Sequence, residues 1–157
     1  MMKEKLLKTA SELQQPPESA AREFLQKHEH MAEMGNRIMA GRDDIDRLVG
    51  QSNKKMAEDN NRNFARFMGS LYTNFDPDVF VETVLWVFRA YRSHGFQTTY
   101  WAANLNIWTD LIRQELTSDS YEAVYPFYNW LIVNIPIFVK LSDEHLSGTS
   151  EENMPEH

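Results

Sequence analysis

The chain has 157 residues, enough for one domain with an ordinary hydrophobic core and no need of metals or staples. It contains no cysteine, which excludes disulfides, thiolate metal sites and a cysteine nucleophile together and fits a reducing, cytoplasmic setting. The net charge of -7 is concentrated at one end: Asp143, Glu144, Glu151, Glu152 and Glu156 lie in a stretch without Lys or Arg, leaving -2 for residues 1–141 and no basic stripe that could track a phosphate backbone, so nucleic acid is not an expected partner.

Apolar residues recur every three or four positions and nowhere alternate with polar ones, so the chain reads as all-α. Residues 3–14 predict a short amphipathic helix, ended by Pro16 and Pro17, which cannot sit inside a helix. A second helix is expected from Glu18 to Met34, with the chain loosening around Gly35 and Gly41. Residues 42–57 carry only a weak stripe of Ile45, Leu48, Val49 and Met56. Phe64, Met68, Leu71 and Phe75 then mark one face of a helix that stops before Asp76-Pro77, where Asp suits an N-cap and Pro the first helical position. The helix that follows, "DPDVFVETVLWVFRAYRSHG", ends with Arg92 and His94 in its last turn and Gly95 as a left-handed cap, and its apolar residues nearly encircle it, so it is expected to be central.

Residues 97–116 carry two apolar rows. Trp101, Leu105, Trp108, Ile112 and Leu116 form one, and Tyr100, Ala103, Ile107 and Leu111 the other, so this helix is expected to touch two sets of neighbours. The last helix opens at "SDSYE", where Asp119 and Glu122 have capping-box spacing, and is expected to run to about Leu141 as one long element. Its segment "NWLIVNIPIFVKL" is the most apolar in the chain, and no residue from Ala123 to Val139 is charged. A membrane span is excluded on three grounds: the stretch is short, Asn129 and Asn134 interrupt it, and no basic cluster flanks it. The remaining reading is a helix covered by its own domain on one side and a second copy on the other, bent at Pro126 and Pro136. The N-terminal "MMKEKLLKTASELQQ" has charges where an export signal needs an apolar core.

Motifs of catalysis are missing from the sequence. There is no Gly-rich phosphate loop, no G-x-S-x-G and no H-E-x-x-H, so no enzyme activity, cofactor or metal is expected. His28 and His30 are two apart and would point to different sides of a helix. His94 reads as a helix-capping cation, His145 as part of the acidic tail, and "RDDID", with Asp43, Asp44 and Asp46, as first-turn acids without the spacing of a calcium loop. The aromatics are the remaining clue. Most read as core and interface, but Tyr91, Tyr100, Trp101 and Trp108 are candidates to line a pocket for a tetrapyrrole or other apolar ligand, with Asn104, Asn106 and Thr109 to orient it.

The block "VETVLWVFRAYRSHGFQTTYWAANLNIWTDLIRQEL" followed by "YEAVYPFYNWLIVNIPIFVKL" resembles the last helices of the non-haem globin-like sensor domains of RsbR-type stressosome proteins, by pattern and helix order over roughly residues 60–141. That resemblance implies a globin-like helical bundle whose two long C-terminal helices pair with those of a second subunit as a four-helix bundle. It also implies a sensory or regulatory role in stress signalling, without enzyme activity. Those proteins continue into a STAS output domain, whereas this sequence continues into an acidic tail, so output is expected through contact with a separate protein partner. A haem globin has its proximal His well before the penultimate long helix, while His94 lies almost at the start of helix 97–116, which argues against haem. Helical bundles that accompany cobalamin-binding domains in regulators share the pattern.

The expected organisation is thus an N-terminal helix and linker over residues 1–17, a single globin-like domain over 18–141 and an acidic disordered tail over 142–157. A homodimer is expected through Trp101, Trp108, Ile112, Trp130 and Ile137, because two apolar rows on each of the last two helices exceed what one small core absorbs, and an exposed row would form a larger patch than monomers show.

Overall fold

The computed structural model describes residues 2–146, and every regular element among them is a helix. In chain order these are α1 (Met2–Ala10), α2 (Glu18–Ala40), α3 (Ile45–Val49), α4 (Lys54–Thr73), α5 (Pro77–Ser93), α6 (Thr98–Glu115), α7 (Ser118–Val133) and α8 (Ile135–Glu144). The all-α reading is thus the observed architecture. The acidic tail lies outside the described residues from 147 onward, whereas residues 142–144 continue α8, three residues past the expected end.

Punctuation signals work where the backbone itself demands them. Asp76 Oδ1 accepts from the backbone N–H of Asp78 at 3.0 Å and of Val79 at 3.3 Å, with Pro77 in the first turn of α5. Gly95 closes that helix at φ 102°, in the left-handed region that a side chain would strain.

Two expected boundaries move. Helix α2 does not loosen at Gly35 but runs through it to Ala40, because this glycine is a contact and not a breaker: a Cβ there would lie 3.4 Å from Leu111 Cδ1 and 3.5 Å from Asn61 Nδ2. Gly35 thus faces α4 and α6 at ordinary van der Waals separation, packed within the helix and not ending it. The single long C-terminal helix is two helices, bent by 47° at Asn134. Pro126 stays inside α7, and the break is made by Pro136, which has no N–H to give and so opens α8. Asn134 serves both sides: its Nδ2 donates to Trp130 O at 2.8 Å, and its carbonyl accepts from Ile137 and Phe138 at 3.0 Å each.

Helix α2 packs on α4, α6 and α7, and α6 lies on α7, so these four form the body of the fold. On the other side α5 is held by α1 and α8. Leu6 and Ala10 of α1 are buried in the common core, and Trp130 Nε1 of α7 donates to Thr9 Oγ1 at 2.9 Å. Burying each large side chain such as Leu6 contributes about 1.5–3 kcal/mol. At the α6–α7 turn, Glu23 of α2 accepts from the Thr117 N–H, the Thr117 hydroxyl and Lys27 Nζ, each at 2.8 Å. Thr117, and not Asp119, caps α7, accepting from Ser120 N at 3.4 Å. No single helix among the described residues is long and apolar enough to cross a membrane, though α7 and α8 together, across their bend, have the length and composition.

Candidate functional site

Helices α4 and α5 do not close against each other. Between them lies a cavity of about 240 Å³. From α4 come Asn60, Asn63, Phe64 and Phe67, and from α5 Thr83, Trp86, Phe88 and Tyr91. Trp101, Asn104 and Leu105 of α6 form its floor, while Leu131 of α7 and Phe138 of α8 close one end. The wall is rigid where rings brace one another: Phe88 and Trp101 stack at 4.1 Å with their planes 17° apart, and Phe88 lies 5.1 Å from Phe138. No lining residue carries a charge. Tyr91 is the one ionisable group among them, and burial, with the charge of Asp59 adding to it, pushes its phenol above the ordinary range, so it is neutral at physiological pH.

Behind the floor runs a ladder of buried amides. Trp108 Nε1 donates to Asn61 Oδ1 at 3.0 Å, and Asn104 Nδ2 donates to the same oxygen at 2.9 Å. Asn61 Nδ2 donates in turn to Asn36 Oδ1 at 2.9 Å, and Asn36 Nδ2 to the Glu58 carbonyl at 3.4 Å. The direction of the ladder is fixed by chemistry. An indole N–H only donates, so the Asn61 atom facing Trp108 must be oxygen, and the Asn104 atom facing that oxygen must be its nitrogen. Asn104 Oδ1 is then the end of the ladder, buried and with no hydrogen-bond partner.

Of the four pocket candidates from the sequence, Tyr91 and Trp101 line the cavity. Tyr100 is buried beneath them, beside Asn60, whose Nδ2 reaches its hydroxyl at 3.4 Å, and it faces a smaller hollow of about 40 Å³ near Asn36 and Asn61. Trp108 is fully buried behind the floor. Of the expected orienting groups Asn104 is in place, Asn106 is exposed, and the Thr109 hydroxyl is used on the Asn106 carbonyl at 2.9 Å. Sequence reasoning missed the α4 wall. It also missed Asn61 on the sealed face of α4, a polar residue on the buried stripe Ala57, Asn61, Ala65, Met68, Tyr72, where an amide is worth keeping only if something satisfies it.

The residues assigned to a dimer need correction. Trp108 and Ile112 are 0 % exposed within one chain, Trp130 4 % and Trp101 7 %, so none of the four has surface to give to a second copy. The second set of neighbours for α6 is α2 of the same chain. Ile137 alone is half-exposed, beside Val133, which is 60 % exposed.

The histidines do not converge. His28 Nδ1 lies 2.8 Å from the Leu25 carbonyl, His30 is exposed near Glu115, and His94 ends α5, its carbonyl accepting from Asn53 Nδ2 at 2.7 Å. Asp44 of "RDDID" is held by Arg42 at 2.9 Å, a hydrogen bond that keeps its carboxyl below the usual range. Among the described residues no three His, Asp or Glu side chains gather as metal ligands. A comparison with protein-family models, with curated proteins and with solved structures finds no match.

Proposed function

We propose that this chain is a non-enzymatic regulatory module, globin-like in its helix order, that senses a small apolar molecule held between α4 and α5. The observation that carries the reading is the aromatic-walled cavity of about 240 Å³. Ligand sites are concave, mostly apolar and furnished with few polar groups, and this cavity has that make-up at a volume just below the usual range. Five of the helices, α4 to α8, line the pocket, in keeping with the globin pattern of helices packed about one ligand cavity. A wall without charge and with a neutral Tyr91 offers no acid, base or nucleophile, which favours binding over catalysis.

The volume also favours one ligand class over another. An apolar cavity of about 150 Å³ holds a single benzene ring, so this one encloses up to two fused rings, and a tetrapyrrole would project from its open side. Output is by contact with a protein partner or a second copy of the chain. The surface that supports pairing is the outer side of α7 and α8, where Tyr125, Ile132, Val133 and Ile137 are exposed or half-exposed.

Thermal melts of the purified protein against a panel of one- and two-ring aromatics test the binding reading. Saturating ligand at 100 times its Kd stabilises by about 2.7 kcal/mol, a clear rise in Tm. Val84→Phe, which fills the cavity from α5, abolishes that rise. A panel that raises the Tm of neither protein overturns the reading.

A further inference from the structure

The two long walls of the cavity can be ordered from end to end. Helix α5 follows α4 after three residues, and Phe67, late in α4, lies 6.4 Å from Phe80, early in α5. At the far end the charge of Asp59, early in α4, acts on the phenol of Tyr91, late in α5. The helices therefore run in opposite directions, and their polar lining residues gather at one end. Near the turn stand Phe67 and Val84, with Thr83 as the one polar side chain from these two helices; away from it stand Asn60, Asn63 and Tyr91. From Asn60 to Phe67 is two turns of helix, about 10 Å.

The polar end is within reach of a ligand, since Asn63 is exposed and Tyr91 half-buried. Arg66 Nη1 donates to Asn63 at 2.9 Å, and a guanidinium only donates, so the amide atom facing it is the oxygen and Nδ2 is left as a donor. Burial and the charge of Asp59 act on the Tyr91 phenol and no hydrogen bond does, which leaves its O–H as a second donor. An ion has nothing to meet there: no lining residue is charged, and Asp59 already pairs with Arg62 at 3.0 Å.

Resting on the cavity reading above, we infer that the ligand is an uncharged molecule of one or two rings with a single oxygen acceptor, a carbonyl or hydroxyl, its rings lying between Phe67 and Val84 and its oxygen at the Asn63 and Tyr91 end.

Calorimetric titration of the full chain with acetophenone, and with isopropenylbenzene, the same shape with a CH2 in place of the oxygen, separates the head from the rings. The quantity read is the ratio of the two dissociation constants, because the different ease with which the two molecules leave water cancels between variants. Tyr91→Phe and Asn63→Leu are each expected to weaken acetophenone by about three- to tenfold, the worth of one hydrogen bond, and to leave isopropenylbenzene at its wild-type affinity. Val84→Phe, at the other end, is expected to weaken both ligands alike. A ratio unchanged in Tyr91→Phe and in Asn63→Leu overturns the placement of the oxygen and leaves the cavity reading standing, and the exposed Asn63 decides even where Tyr91→Phe fails to fold. Benzoate binding as tightly as acetophenone overturns the uncharged class. If neither acetophenone nor isopropenylbenzene binds the wild-type protein, both the inference and the cavity reading fall.

Discussion

Helix α4 has two faces that the fold treats in opposite ways. One, with Asn61, Ala65, Met68 and Tyr72, is sealed against α2 and α6: Asn61 Oδ1 accepts from Trp108 and Asn104, and its Nδ2 donates to Asn36. The other, with Asn60, Asn63, Phe64 and Phe67, fronts the cavity, and α5 stands off from it. A core of this size could have closed both faces. That it closes one and leaves the other open teaches that the opening is a local feature, held apart by a rigid body on one side and a more weakly tied pair, α5 and α8, on the other.

The strongest way to break that contrast is at Asn61. Replacing it with Leu keeps the volume but strands Trp108 Nε1, Asn104 Nδ2 and Asn36 Oδ1 in the interior. At about 1–3 kcal/mol for each buried group left unpaired, a loss of about 3–5 kcal/mol is expected, read from the urea midpoint. Asn63→Leu, on the open face of the same helix and exposed, is expected to change stability by less than about 0.5 kcal/mol. Equal losses would mean that the two faces do not differ.

The second test is pH, because Glu23 ties α2 to the α6–α7 turn in the sealed half. Burial alone would raise its carboxyl, but the hydrogen bonds from Lys27, Ser120 and Thr117 outweigh it and hold the pKa at about 2, down from the ordinary 4.5. A depressed carboxylate gives stability that is present above its unfolded pKa and lost as pH falls through the folded one. The side chain is 15 % exposed, so the shift corresponds to as much as about 3 kcal/mol at neutral pH. Glu23→Gln is therefore expected to lose up to that amount at pH 7, and the gap between variant and wild type to close between about pH 4.5 and pH 2. A gap that persists unchanged at pH 2 would refute the linkage.

These contrasts also mark what was legible in the sequence. Asp76, Pro77 and Gly95 were readable because the backbone chemistry at a helix end needs those residue types whatever surrounds them. Gly35 was not, because a glycine that breaks a helix and one that lets another helix approach look alike until the partner, Leu111, is known. The double row on α6 was read correctly as meeting two neighbours, but a row does not say whose neighbours they are, and α2 supplied the cover assigned to a second subunit. The cavity had no sequence signal of its own, since empty space depends on how far apart two helices stand. Trp101 and Tyr91 were found only because aromatics are good candidates for any wall.

Enlarging one residue in each half sharpens the comparison with smaller numbers. Ala65 is fully buried on the sealed face, and Ala65→Val is expected to cost about 1–3 kcal/mol through overpacking. Val84 borders the cavity, and Val84→Phe is expected to stabilise by about 1 kcal/mol by filling it. Two enlargements of opposite sign, measured as shifts in urea midpoint, would locate the slack in the molecule. A loss at both sites would mean that the cavity wall cannot accept a ring.

A small effect on stability, and the one most specific to the open half, is expected at Arg92. Its guanidinium leaves α5 to meet the last turn of α8, donating to the Val139 carbonyl at 3.3 Å and the Ser142 hydroxyl at 2.7 Å, and pairing with Asp143. A cation at a helix C-terminus stabilises through the unpaired carbonyls there, by about 0.3–1 kcal/mol. The pairing with Asp143 adds little, because that carboxylate is more than half exposed. Arg92→Ala is thus expected to cost about 1 kcal/mol globally. Locally it acts on more than stability: α8 follows α7 across the bend at Asn134, and its Phe138, 5.6 Å from Trp130, lines the cavity. Releasing the far end of α8 lets that ring leave its seat. Amide exchange in α8 is expected to quicken while that of α2, α4 and α6 stays near its wild-type rate, and a bound two-ring aromatic is expected to dissociate faster from the variant. Exchange that quickens evenly along the whole chain would mean that α8 opens only when the entire protein unfolds, and that the open half has no motion of its own.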